Sequence, residues 1–194
     1  MSEFANKIMR GELPTDEEWS DHLMEAHKIA PSMTPNAFAE FKTEKGLNSY
    51  ELLARELQPL YGKDATVLDL ACGDGHLMPY FLSKLGKGSK IFGIDMADGE
   101  LEIGRKKITD TRVRFYRAKA RQIPLPDQSV DHIVCHMAFM LMLPVEPVVR
   151  EISRLLKPSG KFSAVIGSKT TVGLFSEIRK ANFQFIHSRY PKVK

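Results

Sequence analysis

Cysteines and long apolar runs are both scarce in this 194-residue sequence. It has only two cysteines, Cys72 and Cys135, and neither belongs to a CxxC pair or to a histidine-rich cluster. A disulfide framework and a cysteine-based metal site are therefore excluded, and a reducing, cytoplasmic location is favoured. No run reaches the roughly 18 apolar residues of a membrane span, and no N-terminal run reaches the roughly 7 of a secretion signal. We therefore expect no membrane partner and no metal.

Charge of one sign is in small excess only. Lys and Arg number 28 against 24 Asp and Glu, and the basic residues are scattered among acids except near the C-terminus. Unpatterned charge is typical of a solvated surface, so a nucleic-acid partner is disfavoured, and an RNA or DNA contact of the basic C-terminal residues is the alternative. Hydrophobic residues make up 43% of the chain, which is typical of a globular chain of this length with one core.

The first third of the chain has the pattern of helices. Thr15 and Glu18 form a capping box before apolar residues that recur at helical spacing. The predicted helices cover residues 16–30, a short stretch after Pro35, and residues 49–60. We expect residues 1–60 to form a helical cap packed on a core of residues 61–194, all in one domain.

From Ala65 onward, short apolar runs alternate with helical stretches, which is typical of βαβ units and a parallel sheet. The predicted strands are Thr66–Leu70, Lys90–Ile94, Val113–Arg117, Val130–His136 and Lys161–Ile166. The predicted helices lie near His76–Lys84, Gly99–Ile108 and Pro147–Leu156. This pattern predicts a doubly wound, Rossmann-like α/β fold with a mostly parallel sheet, for which we expect the strand order 3-2-1-4-5.

One stretch joins a strand to a tight glycine turn, Val67-Leu-Asp-Leu-Ala-Cys-Gly-Asp-Gly-His-Leu77. Gly73 and Gly75 have no Cβ, so the backbone can turn sharply and a ligand can approach it closely. Asp69 stands at the carboxyl end of the strand, where open α/β sheets bind ligands. A carboxylate there suits a cationic amino group better than a phosphate. Asp74 weakens a phosphate interpretation further, although its oxygen could equally cap helix amides.

This run resembles motif I of the class I S-adenosylmethionine-dependent methyltransferases, a hydrophobic strand followed by D-x-[GA]-C-G-x-G. Ile91-Phe-Gly-Ile-Asp95 resembles the family's second strand, and two later segments resemble the loop before strand four and the turn into strand five. The likeness covers about residues 65–168. It implies that S-adenosylmethionine is the cofactor and that Asp95 accepts both ribose hydroxyls. The rival within this architecture, a nicotinamide dinucleotide enzyme, needs glycine in place of Met78.

The cofactor residues implied by the resemblance follow the ends of the strands. They are Asp69, Ala71, Cys72, Gly73, Gly75, His76, Leu77, Asp95, Met96, Ala118, Lys119, Ala120 and His136. Lys119 stands where many relatives carry an acid that binds adenine, and an ammonium group has no acceptor. Either the cofactor is held less tightly, or Lys119 lies outside the site as a solvated surface residue.

Methyl transfer by in-line displacement depends mainly on geometry, because the sulfonium carries its own leaving group. A base is needed only when the nucleophile arrives protonated. His136 is the candidate catalytic base, with an unperturbed pKa suited to neutral pH. Alternatively, it is a structural histidine whose backbone touches the cofactor.

The acceptor is not identified by any motif. The absence of an N/D-P-P-Y run argues against amino methylation of nucleic acids, which leaves a small molecule as the leading acceptor. A protein or RNA methyltransferase, or a regulatory module that binds the cofactor without turnover, are the alternatives.

The C-terminal end is shorter than in the family that the chain resembles, which usually continues through a helix and an antiparallel hairpin. After Ser168 the sequence predicts one helix over residues 172–181 and no complete hairpin. An exposed edge at the fifth strand would favour a homodimer.

Overall fold

The computed structural model describes residues 14–167, together with residues 4, 6, 7, 10 and 12. The chain divides into two compact units, residues 1–23 with 167–194 and residues 24–166. The second unit contains the whole sheet. The helix predicted over residues 172–181 and the predicted lack of a hairpin lie outside the described residues.

Three N-terminal helices are present, although the second, expected after Pro35, begins two residues before it. They are α1 (Asp16–Ile29), α2 (Met33–Phe38) and α3 (Ser49–Arg55). α3 begins with a reciprocal cap, in which Asn48 Oδ1 accepts from Glu51 N and Asn48 N donates to Glu51 Oε2. α3 ends five residues earlier than predicted, and Gln58–Leu60 forms a 3₁₀ turn instead, because Pro59 lacks the N–H that the α-helical ladder requires. None of the described helices is long and apolar enough to cross a membrane.

Five parallel strands form one sheet in the order β3-β2-β1-β4-β5, which confirms the predicted strand order and the doubly wound architecture. They are β1 (Thr66–Leu70), β2 (Lys90–Asp95), β3 (Val113–Arg117), β4 (Val130–His136) and β5 (Leu156–Val165), with helices α4 (Asp98–Lys107) and α5 (Val145–Leu155). Leu68 of β1 is paired with Phe92 on one side and Ile133 on the other. The strand order reverses beside β1, and open α/β sheets bind ligands at such a reversal.

Each face of the sheet is covered by its own apolar layer. Val67 belongs to the layer that contains Leu53 of α3 and Leu101 of α4. Leu68 belongs to the opposite layer, which contains Ile152 of α5. This separation follows from the alternation of side chains along a strand.

The helix predicted over residues 76–84 is wrong. Met78–Tyr80 and Leu82–Lys84 form two 3₁₀ turns instead. Pro79 has no N–H with which to continue an α-helical ladder, and Met78 N and Phe81 N donate to carbonyls three residues back.

β5 begins at Leu156, earlier than predicted. Val130 is paired with Leu156, but His132 is paired with Lys161, so β5 carries extra residues between these two pairs. The irregularity hides the strand period in the sequence, because bulged residues break the alternation of side chains.

Gly75 is required by packing. Its φ is +74°, and a Cβ there would lie 2.7 Å from Ile108 Cδ1 and 3.1 Å from Phe115 Cζ. Gly46 has a φ of +76° and open space around it.

We expect Gly75→Ala to lower the free energy of unfolding by about 2–4 kcal/mol, from backbone strain and overpacking, and Gly46→Ala by about 1 kcal/mol. Denaturant titration measures both, and equal losses would contradict the packing account.

Candidate functional site

Four buried side-chain atoms in the described part of the chain have no hydrogen-bond partner. They are Asp69 Oδ2, His76 Nε2, Glu100 Oε2 and His136 Nδ1. All four residues line a single cleft at the carboxyl ends of the central strands. Buried polar groups are nearly always paired in native proteins, so this concentration indicates a site for a polar ligand.

The structure brings together eight of the residues implied by the sequence. Lining the cleft are Asp69, Ala71, Cys72, Gly73, His76, Leu77, Asp95 and His136. The remaining walls come from residues outside the set implied for the cofactor, namely His27, Ser32, Thr34, Pro35, Tyr50, Asp74, Glu100, Met137, Ala138 and Leu141.

The turn after β1 exposes its backbone to the cleft. Ala71, Gly73 and Gly75 all have positive φ angles of 53° to 74°. A Cβ on Gly73 would meet only one atom within 4 Å, Glu100 Oε2 at 4.0 Å, so this stretch of backbone lies open. Gly75 does not line the cleft, and its missing side chain makes room for the core instead.

Asp95 connects the end of β2 to this turn. Its Oδ2 accepts a hydrogen bond from Gly73 N at 2.8 Å, and its Oδ1 accepts one from Ala97 N at 2.9 Å. Burial raises the pKa of Asp95 even though both N–H groups favour the charged form. The carboxylate therefore holds the loop in place and still has lone pairs for a ligand.

Asp69 lies deepest among the acids of the cleft and is 1% exposed. Burial, and then the charges of Asp95 and Asp74, raise the pKa of Asp69 well above its usual range. Removing several carboxylates from water is costly unless a cation neutralises them. The cleft is therefore complementary to a positively charged ligand.

Asp74 is held by contacts within the protein. Its Oδ2 accepts from Ser32 Oγ at 2.7 Å and from Lys107 Nζ at 2.5 Å, and its Oδ1 accepts from His76 N at 3.2 Å. Burial opposes ionisation, but the bonds from Lys107 and Ser32 outweigh it and lower the pKa of Asp74. No α-helix follows the turn, so Asp74 does not cap one.

The last turn of α1, the first turn of α2 and the residues between them form one wall of the cleft. Ser32 adopts a left-handed conformation with φ 56°, and its N–H donates to Glu100 Oε1 at 2.9 Å. His27 Nδ1 lies 2.9 Å from the same oxygen. Glu100 itself is buried in the first turn of α4. Acidic residues in a first turn usually complement the helix dipole at the surface, so no sequence signal distinguished Glu100.

The opposite wall is aromatic. The Tyr50 ring stacks on the His136 ring at 3.8 Å and meets the His76 ring edge-on at 4.7 Å. Ser49 Oγ lies 2.9 Å from His136 Nε2, while Nδ1 has no partner.

The pKa of His136 differs from the value expected from the sequence. Burial, and then the charge of His76, lower the pKa of His136 to about 4. The unperturbed pKa expected from the sequence is therefore wrong, and the ring is neutral at pH 7.

Other residues selected from the sequence lie elsewhere. Ala118 and Lys119 line a second cavity of about 510 Å³ beyond the end of β3, together with Arg117, Arg121, Gln122, Ile123 and Pro124. Lys119 is exposed there. Met96 and Ala120 line neither cavity. Within residues 14–167, no group of three or more metal-ligating side chains is found.

A family model described as "Methyltransferase domain" matches residues 68–164. The demethylmenaquinone methyltransferase of Listeria monocytogenes is 23% identical over 168 residues, which is 82% of this chain and 69% of that protein. A ubiquinone/menaquinone biosynthesis C-methyltransferase of Azotobacter vinelandii is 30% identical over 125 residues, 62% of this chain and 49% of that protein. The chain thus spans about half the length of the second relative.

Solved structures support the fold. A SAM-dependent methyltransferase from Aquifex aeolicus superposes with a TM-score of 0.58 at 21% identity, over 84% of this chain and 85% of that chain. A geranyl diphosphate C-methyltransferase from Streptomyces coelicolor, in complex with S-adenosyl-L-homocysteine, superposes with a TM-score of 0.53 at 21% identity. The superposition covers 69% of this chain and 53% of that chain.

The pair formed by His27 and Glu100 predicts a pH-dependent stability. The bond to Glu100 raises the pKa of His27 above 6.5, although burial opposes it. A raised folded pKa stabilises the fold where the histidine is protonated, so the contribution is complete below about pH 6.5 and is lost as pH rises through the folded value. We expect denaturant titrations to show this loss in the wild type and not in His27→Gln. His22→Gln is the control, because His22 stacks on Phe4 instead. Parallel pH profiles of wild type and His27→Gln would contradict the assignment.

Proposed function

The chain belongs to the class I S-adenosylmethionine-dependent methyltransferases, whose domain model covers half of its length, and we propose that it methylates a small aromatic acceptor beside the cleft described above. S-adenosylmethionine is the methyl donor of this family. The observation that supports the assignment to this cleft is the set of four unpartnered buried atoms that line it.

The residues present fit this cofactor. S-adenosylmethionine carries a sulfonium, an ammonium group and a ribose with two hydroxyls, and the cleft offers a buried carboxylate at Asp69 and a half-buried one at Asp95. We assign the ammonium group to the free oxygen of Asp69 and the ribose to Asp95. When bound, the cofactor supplies an electrophilic methyl group that already has a leaving group. The open backbone at Gly73 allows close approach.

The acceptor class is inferred from the aromatic wall. Tyr50, His76 and His136 present rings that pack against one another at the cleft, and flat aromatic ligands stack favourably on such surfaces. The two relatives carry names that refer to demethylmenaquinone and to ubiquinone/menaquinone biosynthesis. We therefore propose a hydroxylated aromatic acceptor such as a reduced quinone.

His136 would orient the acceptor hydroxyl. Its Nε2–H donates to Ser49 Oγ in the tautomer that leaves the Nδ1 lone pair free to accept a hydrogen bond from that hydroxyl. A pKa of about 4 keeps this nitrogen unprotonated at neutral pH and makes it a weak base. We therefore expect His136 to contribute to the rate at the low end of the range for groups that transfer protons, about 100-fold.

The wall formed by residues 27–35 is proposed to act as a movable cover. The cleft holds about 80 Å³ of open space, whereas sites for drug-sized ligands hold roughly 300–1,000 Å³. Ser32 is attached to the rest of the site through Asp74 and Glu100, so its displacement would widen the cleft. The expectation that residues 1–60 form a cap remains a proposal of the same kind.

Ser32→Ala tests this cover. The substitution removes the hydroxyl that donates a hydrogen bond to Asp74. We therefore expect S-adenosylhomocysteine to dissociate several-fold faster in stopped-flow measurements, while the melting temperature changes little. Ser129→Ala is the control, because the Ser129 hydroxyl donates to Pro126 O instead. Unchanged dissociation in Ser32→Ala would rule out a cover attached through Ser32.

Turnover with a reduced demethylated naphthoquinone tests the proposed function. Mass spectrometry is expected to show S-adenosylhomocysteine and a product heavier by one methylene. His136→Ala should lower kcat about 100-fold and leave the affinity for S-adenosylhomocysteine within about twofold. His132→Gln is the control on the same strand, because His132 contacts Ser163 and does not line the cleft. Cofactor binding without turnover of any aromatic acceptor would contradict the proposed acceptor class.

A further inference from the structure

Glu100 is a buried carboxylate to which the function proposed above assigns no contact with the cofactor. It lies in the first turn of α4 and is 2% exposed. Its Oε1 accepts from Ser32 N and faces His27 Nδ1, both at 2.9 Å. Its Oε2 has no partner among the described residues. A carboxylate that is half satisfied in this way is costly to bury, because the free oxygen has lost its hydration.

The free oxygen is on the same side of the cleft as Asp95. It would lie 4.0 Å from a Cβ placed on Gly73, and Asp95 Oδ2 accepts from Gly73 N. The charge of Glu100 also contributes to the raised pKa of Asp95, after the larger effect of burial. Glu100 and Asp95 therefore flank the same glycine.

Asp95 alone has limited capacity for a ligand there. Each of its two oxygens already accepts one backbone N–H, from Gly73 and Ala97. Glu100 Oε2 accepts nothing, so it is the stronger remaining acceptor beside Gly73. A hydroxyl donor placed there would form a charge-assisted hydrogen bond, which is about twice as strong as a neutral one.

We propose that Glu100 is a further cofactor-binding residue, whose Oε2 accepts a hydrogen bond from a ribose hydroxyl of the cofactor assigned to this cleft. The inference rests on the proposed function. The contacts of Oε1 with Ser32 and His27 hold the carboxylate in place, while Oε2 lies 4.0 Å from a Cβ placed on Gly73.

Binding measurements test the proposal without any acceptor. Wild type, Glu100→Gln and Glu102→Gln are titrated calorimetrically with S-adenosylhomocysteine and with 5′-methylthioadenosine, which keeps the ribose and lacks the amino-acid end. Glu102 is the matched control, because it is an exposed carboxylate on the same helix. We expect Glu100→Gln to weaken both ligands about 10–100-fold, the worth of a hydrogen bond to a charged group, and Glu102→Gln to weaken neither.

The outcomes separate this inference from the function on which it rests. Failure of the wild type to bind S-adenosylhomocysteine overturns the proposed function. If the wild type and Glu100→Gln bind S-adenosylhomocysteine with equal affinity, only the role of Glu100 is overturned, and the proposed function stands. If Glu100→Gln lowers the affinity for S-adenosylhomocysteine but not for 5′-methylthioadenosine, Glu100 contacts the ammonium group instead. That result overturns the assignment of Glu100 to the ribose.

A second variant covers a failure of Glu100→Gln to fold, which circular dichroism would reveal. Glu100→Asp keeps the charge and shortens the side chain by one methylene, so its carboxylate no longer reaches the same point. It is expected to weaken both ligands in the same way. Wild-type affinity of Glu100→Asp for both ligands would overturn the proposal.

Discussion

The Asp95 carboxylate is the interaction on which the rest of the candidate site depends. It joins the end of β2 to the turn after β1 through the bond from Gly73 N, beside the backbone bond from Cys72 N to Ile94 O. β1 lies between β2 and β4, so this turn emerges where the strand order reverses. The fold thus places an open stretch of backbone among buried acids at the position where α/β sheets bind ligands.

The acids gathered there are only partly satisfied by the protein. Lys107 and Ser32 hold Asp74, and Ser32 and His27 hold one oxygen of Glu100. Asp69 Oδ2 and Glu100 Oε2 have no partner within the part of the chain that the structure describes. A ligand with a cationic group and several hydroxyls satisfies both, which is why the geometry and the family agree on the cofactor. On the other side, Ser49 and Tyr50 contact the His136 ring, and burial, followed by the charge of His76, keeps that ring neutral.

The sequence predicted the parts of this arrangement that depend on local pattern. Strand period and the glycine turn indicated the doubly wound sheet, and the resemblance to a family implied eight residues that line the cleft. The helix over residues 76–84 failed because Pro79 outweighed an apolar pattern of helical period. Glu100 and Tyr50 could not be predicted, since tertiary packing alone brings ordinary helix residues to the site. Burial likewise lowered the pKa of His136 from its usual value. The sequence of a single strand does not show how deeply a side chain is buried by the elements packed around it.

The central claim is that the cleft at the ends of β1, β2 and β4 is the cofactor site. Long-range ¹H–¹⁵N spectra of the histidine rings, recorded while S-adenosylhomocysteine is added, test it most directly. His76 and His136 line this cleft, whereas His132 contacts Ser163 away from it. The account predicts that the ring resonances of His76 and His136 move together with saturation and that those of His132 stay in place. Saturable binding that leaves both His76 and His136 unmoved would contradict it.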